Sequence, residues 1–376
     1  MAKILNKNNI MKAVAEGQLG FSFADPERID EHALSAVLPI LRKTTTKRQY
    51  ITYPETEQLI VTDSGSINKM TVENTTDENI FLRNGTIFAG KTQERALVRS
   101  TVVFPHQKLS LEVRCVHASK GINGGAEAKY GGITPLDMDM RTYTDGFRAT
   151  NQQEYWNSVQ CYTSSINGGS LTGDVCLDEI DLSQSSADPA YTIRDSSVRD
   201  DFFGQVRGAN EQPPPQTYQW FSAAGFNRGG VNVGGSDDLA STMNDFAKNF
   251  DDILSRIKCH ENQVGFGLID TEGCQTIELF DVEKSWAALH NDAVCRVGDK
   301  LGDQEPQPFE YKAEKAIENV KWVLSREYKM NTIFRHKPTD GEPDLEITGL
   351  THEKFVGEIV ELDGKVIHLV IIRKLK

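Results

Sequence analysis

Residues 70–116 constrain the fold most, because their apolar and polar side chains alternate with a period of two. At the end of this stretch every second side chain is apolar, which places the apolar side chains on one face of a half-buried strand. That face consists of Leu109, Leu111, Val113 and Cys115. We therefore predict consecutive antiparallel strands from about residue 59 to residue 116.

Two turn signals divide this stretch into hairpins. Asn84-Gly85 separates two short apolar runs, and Asn-Gly is the strongest local hairpin signal because both residues tolerate a positive φ. Residues 105–108 separate the runs 97–104 and 109–116 and predict a second hairpin.

One polar segment, Gly90-Lys91-Thr92-Gln93-Glu94-Arg95, interrupts the strands and is called the polar knot below. Its amide, carboxylate and guanidinium groups suit the recognition of sugar hydroxyls or phosphate. Flanking strands could present them at one edge of a sheet. The alternative is a solvated turn with a local Glu-Arg pair.

The acidic charge of the chain argues against general nucleic-acid binding. With 54 acidic and 41 basic residues, the 376-residue chain has a formal net charge of -13, whereas general nucleic-acid binders usually carry a basic surface. The first residues lack the apolar run of a secretory signal, and no run of eighteen apolar residues occurs. We expect a soluble, cytoplasmic protein without membrane contact.

Metal and redox motifs are not evident. The six cysteines never form a Cys-x-x-Cys pair, so reduced thiols are expected and neither a metal nor a cofactor is predicted. Cys115 with His117, and Cys259 with His260, would each form only half of a metal site. A buried cysteine beside an ordinary histidine is the simpler interpretation.

The rest of the chain predicts a mixed α+β fold, with an antiparallel β-rich core, several packed helices and a long irregular insertion. A short helix is expected over residues 29–41, ended or kinked at Pro39, and a glycine-rich loop over residues 118–148. Residues 164–235 are rich in Gly, Ser, Asn and Pro, and predict the insertion.

The second part of the chain alternates between helices and strands. An amphipathic helix is expected over residues 236–259, then strands over 264–269 and 275–280. Asp281 is expected to cap the next helix, which is followed by a helix over 309–328. The final strand covers residues 365–372. We therefore divide the chain into a β-rich first part, residues 1–163, the insertion, residues 164–235, and an α+β second part of the same core, residues 236–376.

The common nucleotide-binding, esterase and zinc-protease motifs are missing. Residues 152–156 form a second polar and aromatic cluster in which Trp156 could stack on a ring or anchor a helix in the core. His368 lies within an apolar strand, where it could be either a hydrogen-bonded structural histidine or a base.

The order of the short motifs resembles the family associated with ADP-ribosylglycohydrolases and rhodanese-phosphatase proteins. The motifs are Asn84-Gly85, Gly90, Gln93, Arg95, Cys115-Val116, Gln153-Glu154-Tyr155-Trp156, Gln263-Val264-Gly265, Leu279-Phe280-Asp281 and Val366-Ile367-His368-Leu369. The chain departs from the family pattern after Val116, where His117 stands in place of an acidic residue.

The resemblance implies a role near ADP-ribose or NAD-derived compounds and raises the polar knot to the leading candidate site. The ligand-binding candidates are Gln93, Arg95, Glu154, Trp156 and His368. Gly85, Gly90, Cys115 and Asp281 are structural motif positions, and no catalytic residue is identified.

Two functions remain open. In the first, the protein binds or processes a nucleotide-like small molecule, with Arg95 on phosphate, Gln93 on a hydroxyl or the base, and Trp156 as a stacking surface. In the second, it is a non-catalytic assembly module whose insertion contacts a partner or another copy in a homo-oligomer.

Overall fold

A computed structural model describes the chain over nine ranges of residues: 5–43, 46–90, 94–116, 124–144, 148–149, 151–166, 250–301, 312–336 and 343–375. All of these residues belong to one compact unit, formed by Met1–Ser170 and Trp220–Lys376. The division into 1–163, 164–235 and 236–376 stays a prediction.

Strands make up most of the described unit. In chain order they are β1 Phe21–Phe23, β2 Ala36–Arg42, β3 Ile51–Thr52, β4 Leu59–Ser66, β5 Lys69–Asn74, β6 Ile80–Leu82, β7 Thr86–Gly90, β8 Arg95–Leu97, β9 Thr101–Val103, β10 Lys108–Cys115, β11 Glu127–Ile133, β12 Tyr143–Thr144, β13 Arg148–Ala149, β14 Gln263–Asp270, β15 Gly273–Phe280, β16 Lys329–His336, β17 Leu345–Thr351, β18 Phe355–Leu362 and β19 Lys365–Arg373.

The described helices are shorter and pack around these strands. They are α1 Ile10–Ala15, α2 Leu136–Thr142, α3 Gln152–Ile166, α4 Phe250–Arg256, α5 Glu283–Arg296, α6 Gly298–Leu301 and α7 Ala313–Leu324. No helix within the described ranges is long and apolar enough to cross a membrane. The predicted α+β class, with large antiparallel sheets, is confirmed.

Eight antiparallel strands form the large sheet, in the order β1-β2-β14-β15-β19-β18-β17-β16. Side chains alternate between its two faces, and each face is covered. Leu369 and Ile371 pack with α1 and α7 through Val14 and Val320. Val370 belongs to the core of the opposite face, which also includes residues of α5 and of β6 and β9.

A closed barrel of six strands, β10-β5-β4-β11-β7-β8, encloses a separate apolar core. Three further strands form a small sheet in the order β3-β6-β9. Its strands are close to barrel strands in the sequence, since β6 directly precedes β7 and β9 directly follows β8. Phe81 of this small sheet contacts Phe280 and His368 of the large sheet, with ring centroids 6.2 and 5.3 Å apart. The small sheet therefore connects the barrel to one face of the large sheet.

The helix predicted over residues 29–41 is wrong, since residues 36–42 form β2. Pro39 lies inside this strand opposite Phe266. Both faces of β2 are covered by neighbouring elements, so its residues form a continuous apolar run, and such a run has no period that separates a strand from a helix.

The predicted hairpin at Asn84-Gly85 is also wrong, although the turn exists. Gly85 has a φ of +74°, and the backbone N–H of Thr86 donates to the carbonyl of Arg83. The flanking strands pair elsewhere, β6 with β3 and β9, and β7 with β8 and β11. A local turn signal fixes the bend but not the partners of the two strands.

The hairpin predicted around residues 105–108 is confirmed only at the end far from the turn, where Leu97 pairs with Val113. Beyond Ser100 the chain leaves this pairing, and β9 pairs with β6.

The loop predicted over residues 118–148 is wrong for its described part, which contains β11 and α2. Gly131 and Gly132 lie at a break in the register of β11 against β7, where Gly132 has a φ of +104°. Glycine at such a bulge bends a barrel strand, so these glycines mark a bent strand and not a loop.

The second half agrees better with the sequence. The strands predicted over 264–269, 275–280 and 365–372 are β14, β15 and β19, and α5 and α7 match predicted helices. Only the Phe250–Arg256 part of the helix expected over 236–259 is described, and it is helical. The cap is wrong: α5 begins after Val282 without a side-chain cap, and the Asp281 carboxylate accepts a 2.6 Å hydrogen bond from the Tyr50 hydroxyl.

Candidate functional site

A group of buried polar side chains lies where the small sheet, α2 and α5 meet the large sheet. We call it the buried polar cluster and define it as Arg83, Asn84, Ser100, Thr134, Asp139, Glu278, Asp292, Arg296, Glu358 and His368, all of them buried.

The register of the large sheet explains how two of these carboxylates come to face an apolar core. Glu278 on β15 pairs with Val370 on β19, and Val370 pairs with Glu358 on β18. Residues directly opposite each other on neighbouring strands point to the same face of a sheet. Both glutamates therefore project from the face to which Val370 contributes its side chain.

Glu278 is the most heavily paired group of the cluster. It forms a salt bridge with Arg83, lies 3.7 Å from Nη1 of Arg296, and lies 2.9 Å from Nε2 of His368. Burial would raise its pKa, but Arg83, the hydrogen bond with His368 and Arg296 lower the pKa of Glu278 to about 2. Glu278 is therefore ionised.

His368 differs from its partner because burial lowers its pKa, an effect that outweighs the attraction of Glu278. A neutral imidazole next to an ionised carboxylate donates to it. The proton of His368 thus lies on Nε2, and Nδ1 has no hydrogen-bond partner within the described part of the chain.

Glu358 has a different environment. Its Oε1 accepts a 3.0 Å hydrogen bond from the backbone N–H of Ser100, while its Oε2 has no hydrogen-bond partner among the residues the structure describes. Burial raises the pKa of Glu358 to about 7, even though the hydrogen bonds with Ser100 oppose that shift. Glu358 therefore exchanges a proton near neutral pH.

Asn84 and Glu358 both form a hydrogen bond with Ser100. The backbone N–H of Asn84 donates to the Ser100 hydroxyl at 2.9 Å. Neither the nitrogen nor the oxygen of its side-chain amide has a hydrogen-bond partner in the described ranges. A buried amide without partners is costly, so the Asn84 amide is available to contact a ligand or an ordered water molecule.

Asp139 accepts a 2.8 Å hydrogen bond from the Thr134 hydroxyl. Its Oδ2 lies 2.7 Å from Nη2 of Arg296, which makes a close ion pair, but the N–H groups are not aligned for a hydrogen bond. Burial raises the pKa of Asp139 to about 6 against the opposing effect of Arg296. Arg296 thereby connects Asp139 with Glu278.

The absence of a side chain at Gly85 allows the backbone to pack closely against Thr134 and Asp139. A Cβ atom at this position would lie 2.4 Å from Oγ1 of Thr134 and 3.6 Å from Oδ2 of Asp139. With its positive φ, Gly85 therefore meets both a conformational and a steric requirement that other residues would not.

The remaining carboxylate, Asp292 on α5, accepts a hydrogen bond from the Tyr130 hydroxyl of β11. Burial raises the pKa of Asp292 to about 6, although that hydrogen bond and the charge of Arg83 lower it. Arg83 itself keeps Nε and Nη1 without hydrogen-bond partners among the described residues. The cluster thus offers both unused donors and unused acceptors.

Arg95 of the polar knot is not presented at an exposed sheet edge. It is completely buried, with Nη2 3.2 Å from Oδ2 of Asp63 and Nη1 donating to the carbonyl of Ile67 at 3.3 Å. Glu94 is also buried. Gln93 lies outside the described residues, and its role stays a prediction.

Glu154 and Trp156 lie on α3. Glu154 forms a capping box with Asn151, whose side chain accepts from the backbone N–H of Glu154 at 3.0 Å and whose own N–H donates to the Glu154 carboxylate at 3.3 Å. Trp156 is half-buried, and its Nε1 has no hydrogen-bond partner within the described ranges. Their predicted roles in ligand binding stay predictions.

Two of the predicted structural positions also connect elements. Gly90 lets β11 approach β7, since a Cβ atom there would lie 2.7 Å from the carbonyl oxygen of Glu127. Cys115 is buried, and its backbone forms two 2.9 Å hydrogen bonds with the Gln152 side chain, which ties α3 to the barrel.

Of the five ligand-binding candidates, His368 is the one that lies in the buried polar cluster. Sequence reasoning missed Glu278 and Glu358, although each is a carboxylate inside an apolar strand. That pattern resembles the one that drew attention to His368 and could have identified both. No group of three or more His, Cys, Asp or Glu residues in the described ranges is arranged to hold a metal ion.

Comparison with models of protein families identifies the family of the chain. The ARG and Rhodanese-Phosphatase-superfamily-associated Protein domain, ARPP-1, matches residues 27–372, a range that contains the whole buried polar cluster. No curated protein and no solved structure matches the chain.

Proposed function

Because the chain belongs to the family of ARG and Rhodanese-Phosphatase-superfamily-associated Proteins, we propose that it binds an ADP-ribose- or NAD-derived nucleotide in the buried polar cluster. The family name associates the chain with ADP-ribosylglycohydrolases, and we choose the ligand class from that association.

One observation carries the proposal: the cluster contains unused donors and unused acceptors side by side. Nε and Nη1 of Arg83 can donate to phosphate oxygens, the contact for which guanidinium groups are best shaped. The amide of Asn84 and Oε2 of Glu358 can bind ribose hydroxyls, which both donate and accept. A ligand with phosphate and ribose supplies both kinds of partner.

Every member of the cluster is buried, so a ligand reaches it only when the surrounding elements separate. Association that requires such a change is slower than the roughly 10⁵–10⁷ M⁻¹s⁻¹ of ordinary docking. We therefore expect slow binding and a marked rise in thermal stability when ligand is bound, since the ligand stabilises the folded state.

The test is calorimetric titration with ADP-ribose, NAD and AMP, together with thermal unfolding in their presence. Asn84→Leu is the informative variant because it keeps the branched shape and removes an amide that has no partner. We expect its affinity for ADP-ribose to fall at least about tenfold while its unfolding temperature stays equal or rises.

Asn291→Leu is the matched control, since Asn291 is exposed on α5. It should bind as the unchanged protein does. An absence of heat and of thermal stabilisation with all three nucleotides at millimolar concentration would rule out the proposed function.

A second candidate function, non-catalytic assembly, is favoured by β16. This eight-residue strand ends the large sheet, bonds to β17 alone among the described strands, and exposes Met330 and Phe334. Long exposed edge strands pair readily with other chains. Light scattering on the intact protein and on a variant without residues 164–235 tests it, and a monomer in both cases removes its support.

A further inference from the structure

We infer that β16 is a docking site for an acidic, extended segment of another protein, which adds to the eight-stranded large sheet as a ninth strand. The inference rests on the second candidate function, assembly through β16, and gives that function a partner of stated chemistry. It does not depend on nucleotide binding in the buried polar cluster.

A bulge in β16 sends its two exposed apolar side chains to opposite faces of the sheet. Met330 lies opposite Leu350 and Phe334 lies opposite Ile347, while Ile333 between them has no partner on β17. Leu350 belongs to the core on the side of α1 and α7, and Ile347 belongs to the core on the side of α5. Since directly opposite residues share a face, each core ends at the edge of the sheet in one exposed apolar side chain.

An added strand would continue both cores at once. Met330 and Phe334 are 38 and 37% exposed, and apolar side chains directly opposite them would cover both surfaces. The strand at the other end of the sheet, β1, has only three residues and offers a much shorter edge. Bulges that re-aim side chains are features of a fold and not defects, and addition of a strand to a sheet edge is a common mode of peptide recognition.

The charged side chains of β16 select the partner. Lys329 and Arg335 are exposed, and the strand contains no Asp or Glu. Lys329 forms no salt bridge with a residue that the structure describes, and Arg335 stays 51% exposed beside Asp344. Opposite charges on neighbouring strands attract, and like charges repel. A second copy of β16 has no carboxylate to offer, so charge favours an acidic segment of a different protein.

The register also predicts the sequence of the docked segment. With Ile333 left out by the bulge, the other side chains of β16 alternate between the two faces, as those of an added strand do. Carboxylates opposite Lys329 and Arg335 and apolar side chains opposite Met330 and Phe334 give six positions: acidic, apolar, two unspecified, apolar, acidic. The order reads the same in both directions, so parallel and antiparallel strands present it equally.

The test uses the full-length protein and the peptide acetyl-Glu-Val-Thr-Thr-Val-Glu-amide, with acetyl-Lys-Val-Thr-Thr-Val-Lys-amide as its charge-reversed counterpart. Calorimetry measures affinity, and amide hydrogen exchange locates the contact. We expect the glutamate peptide to bind at least about fivefold more tightly than the lysine peptide, because two cross-strand charge pairs change sign. Exchange at residues 329–336 should slow when the glutamate peptide is bound.

Lys329→Glu reverses one charge at an exposed position of the edge. It should weaken the glutamate peptide and strengthen the lysine peptide, each by at least about threefold. Lys315→Glu is the matched control, since Lys315 is exposed on α7 and the substitution changes the net charge of the chain equally. It should alter neither affinity, and the unfolding temperature of each variant shows that it folds.

Equal affinity for the two peptides, or no binding of either at millimolar concentration, would overturn the inference. Slowed exchange confined to residues outside 329–336 would also overturn it, because the peptide would then bind elsewhere. A dimer in light scattering whose amides at 329–336 are already protected without peptide would assign the edge to a second copy and not to an acidic partner. Titration with ADP-ribose tests the nucleotide proposal separately, and its result leaves these outcomes unchanged.

Discussion

Arg95 and Asp63 form an ion pair inside the barrel in which both side chains are completely enclosed, with 3.2 Å between Nη2 and Oδ2. Removing one partner of a buried pair leaves the other charge without compensation, which costs about 3–5 kcal/mol. Arg95→Ala should therefore lower the free energy of unfolding by that amount in urea titrations.

Asp63→Ala combined with Arg95→Ala is the control for this prediction. The double variant should regain part of the lost stability, because no uncompensated charge remains. A single variant that unfolds at the same urea concentration as the unchanged protein would show that the pair does not form.

A comparison of alanine substitutions at Gly85 and Gly364 separates the steric clash with Thr134 from the strain of a positive φ. Gly85→Ala combines a positive φ with a Cβ atom 2.4 Å from Thr134 Oγ1, and the φ contribution alone is on the order of 1–3 kcal/mol. Gly364→Ala has a similar φ of +68° but nothing within 4 Å of the new Cβ atom. Chemical denaturation should show the larger loss for Gly85→Ala, and equal losses would contradict the close packing at Thr134.

Gln152 provides a test of the contact between α3 and the barrel. Its amide donates to the carbonyl of Cys115 and accepts from the backbone N–H of Cys115, both at 2.9 Å. Gln152→Glu keeps the acceptor and loses the donor, so we expect a loss of about 1–3 kcal/mol in the free energy of unfolding. The neighbouring exposed residue offers a matched variant, Gln153→Glu, which should change stability little.

The buried carboxyl groups predict an unusual dependence of stability on pH. The pKa values of Asp139, Asp281 and Asp292 are raised to about 6 and that of Glu358 to about 7, in each case chiefly by burial. Between pH 4.5 and 7 the folded state therefore binds more protons than the unfolded state. Stability from these groups is complete below the unfolded pKa values and is lost as the pH rises through the folded ones.

Two buried histidines and Glu278 limit this effect without cancelling it. Burial lowers the pKa of His368 and of His290, so both favour the folded state as the pH rises through the unfolded value near 6.5. Glu278, with a folded pKa of about 2, contributes stability that is lost only below about pH 4.5. We expect the urea midpoint at pH 5 to exceed that at pH 7.5, and Glu358→Gln to reduce the difference. A midpoint that rises steadily with pH would contradict these assignments.

The sequence predicted the elements whose pattern is local. Strands β14, β15 and β19 and the helix that contains Trp286 follow from periodicity and turn residues within each segment. The same reasoning failed for β2, because a strand covered on both faces has no alternation to read.

The site was harder to predict because its contacts join distant parts of the chain. Arg83 and Glu278 are 195 residues apart, and Ser100 and Glu358 are 258 residues apart. No spacing rule connects such pairs. A single charge within an apolar strand is still a readable signal, since it requires a buried partner somewhere in the fold.

The place of β2 beside β14 has a consequence for the newly synthesised chain. Arg42, at the end of β2, donates from Nη1 to the carbonyl of Asp281, which lies 239 residues further along. At about 5–20 residues per second, roughly 10–50 s of translation separate the two. All six barrel strands emerge within that interval, between residues 59 and 133. During biosynthesis the apolar β2 segment therefore pairs with β1 alone until β14 has been made, and its other edge stays open to wrong partners.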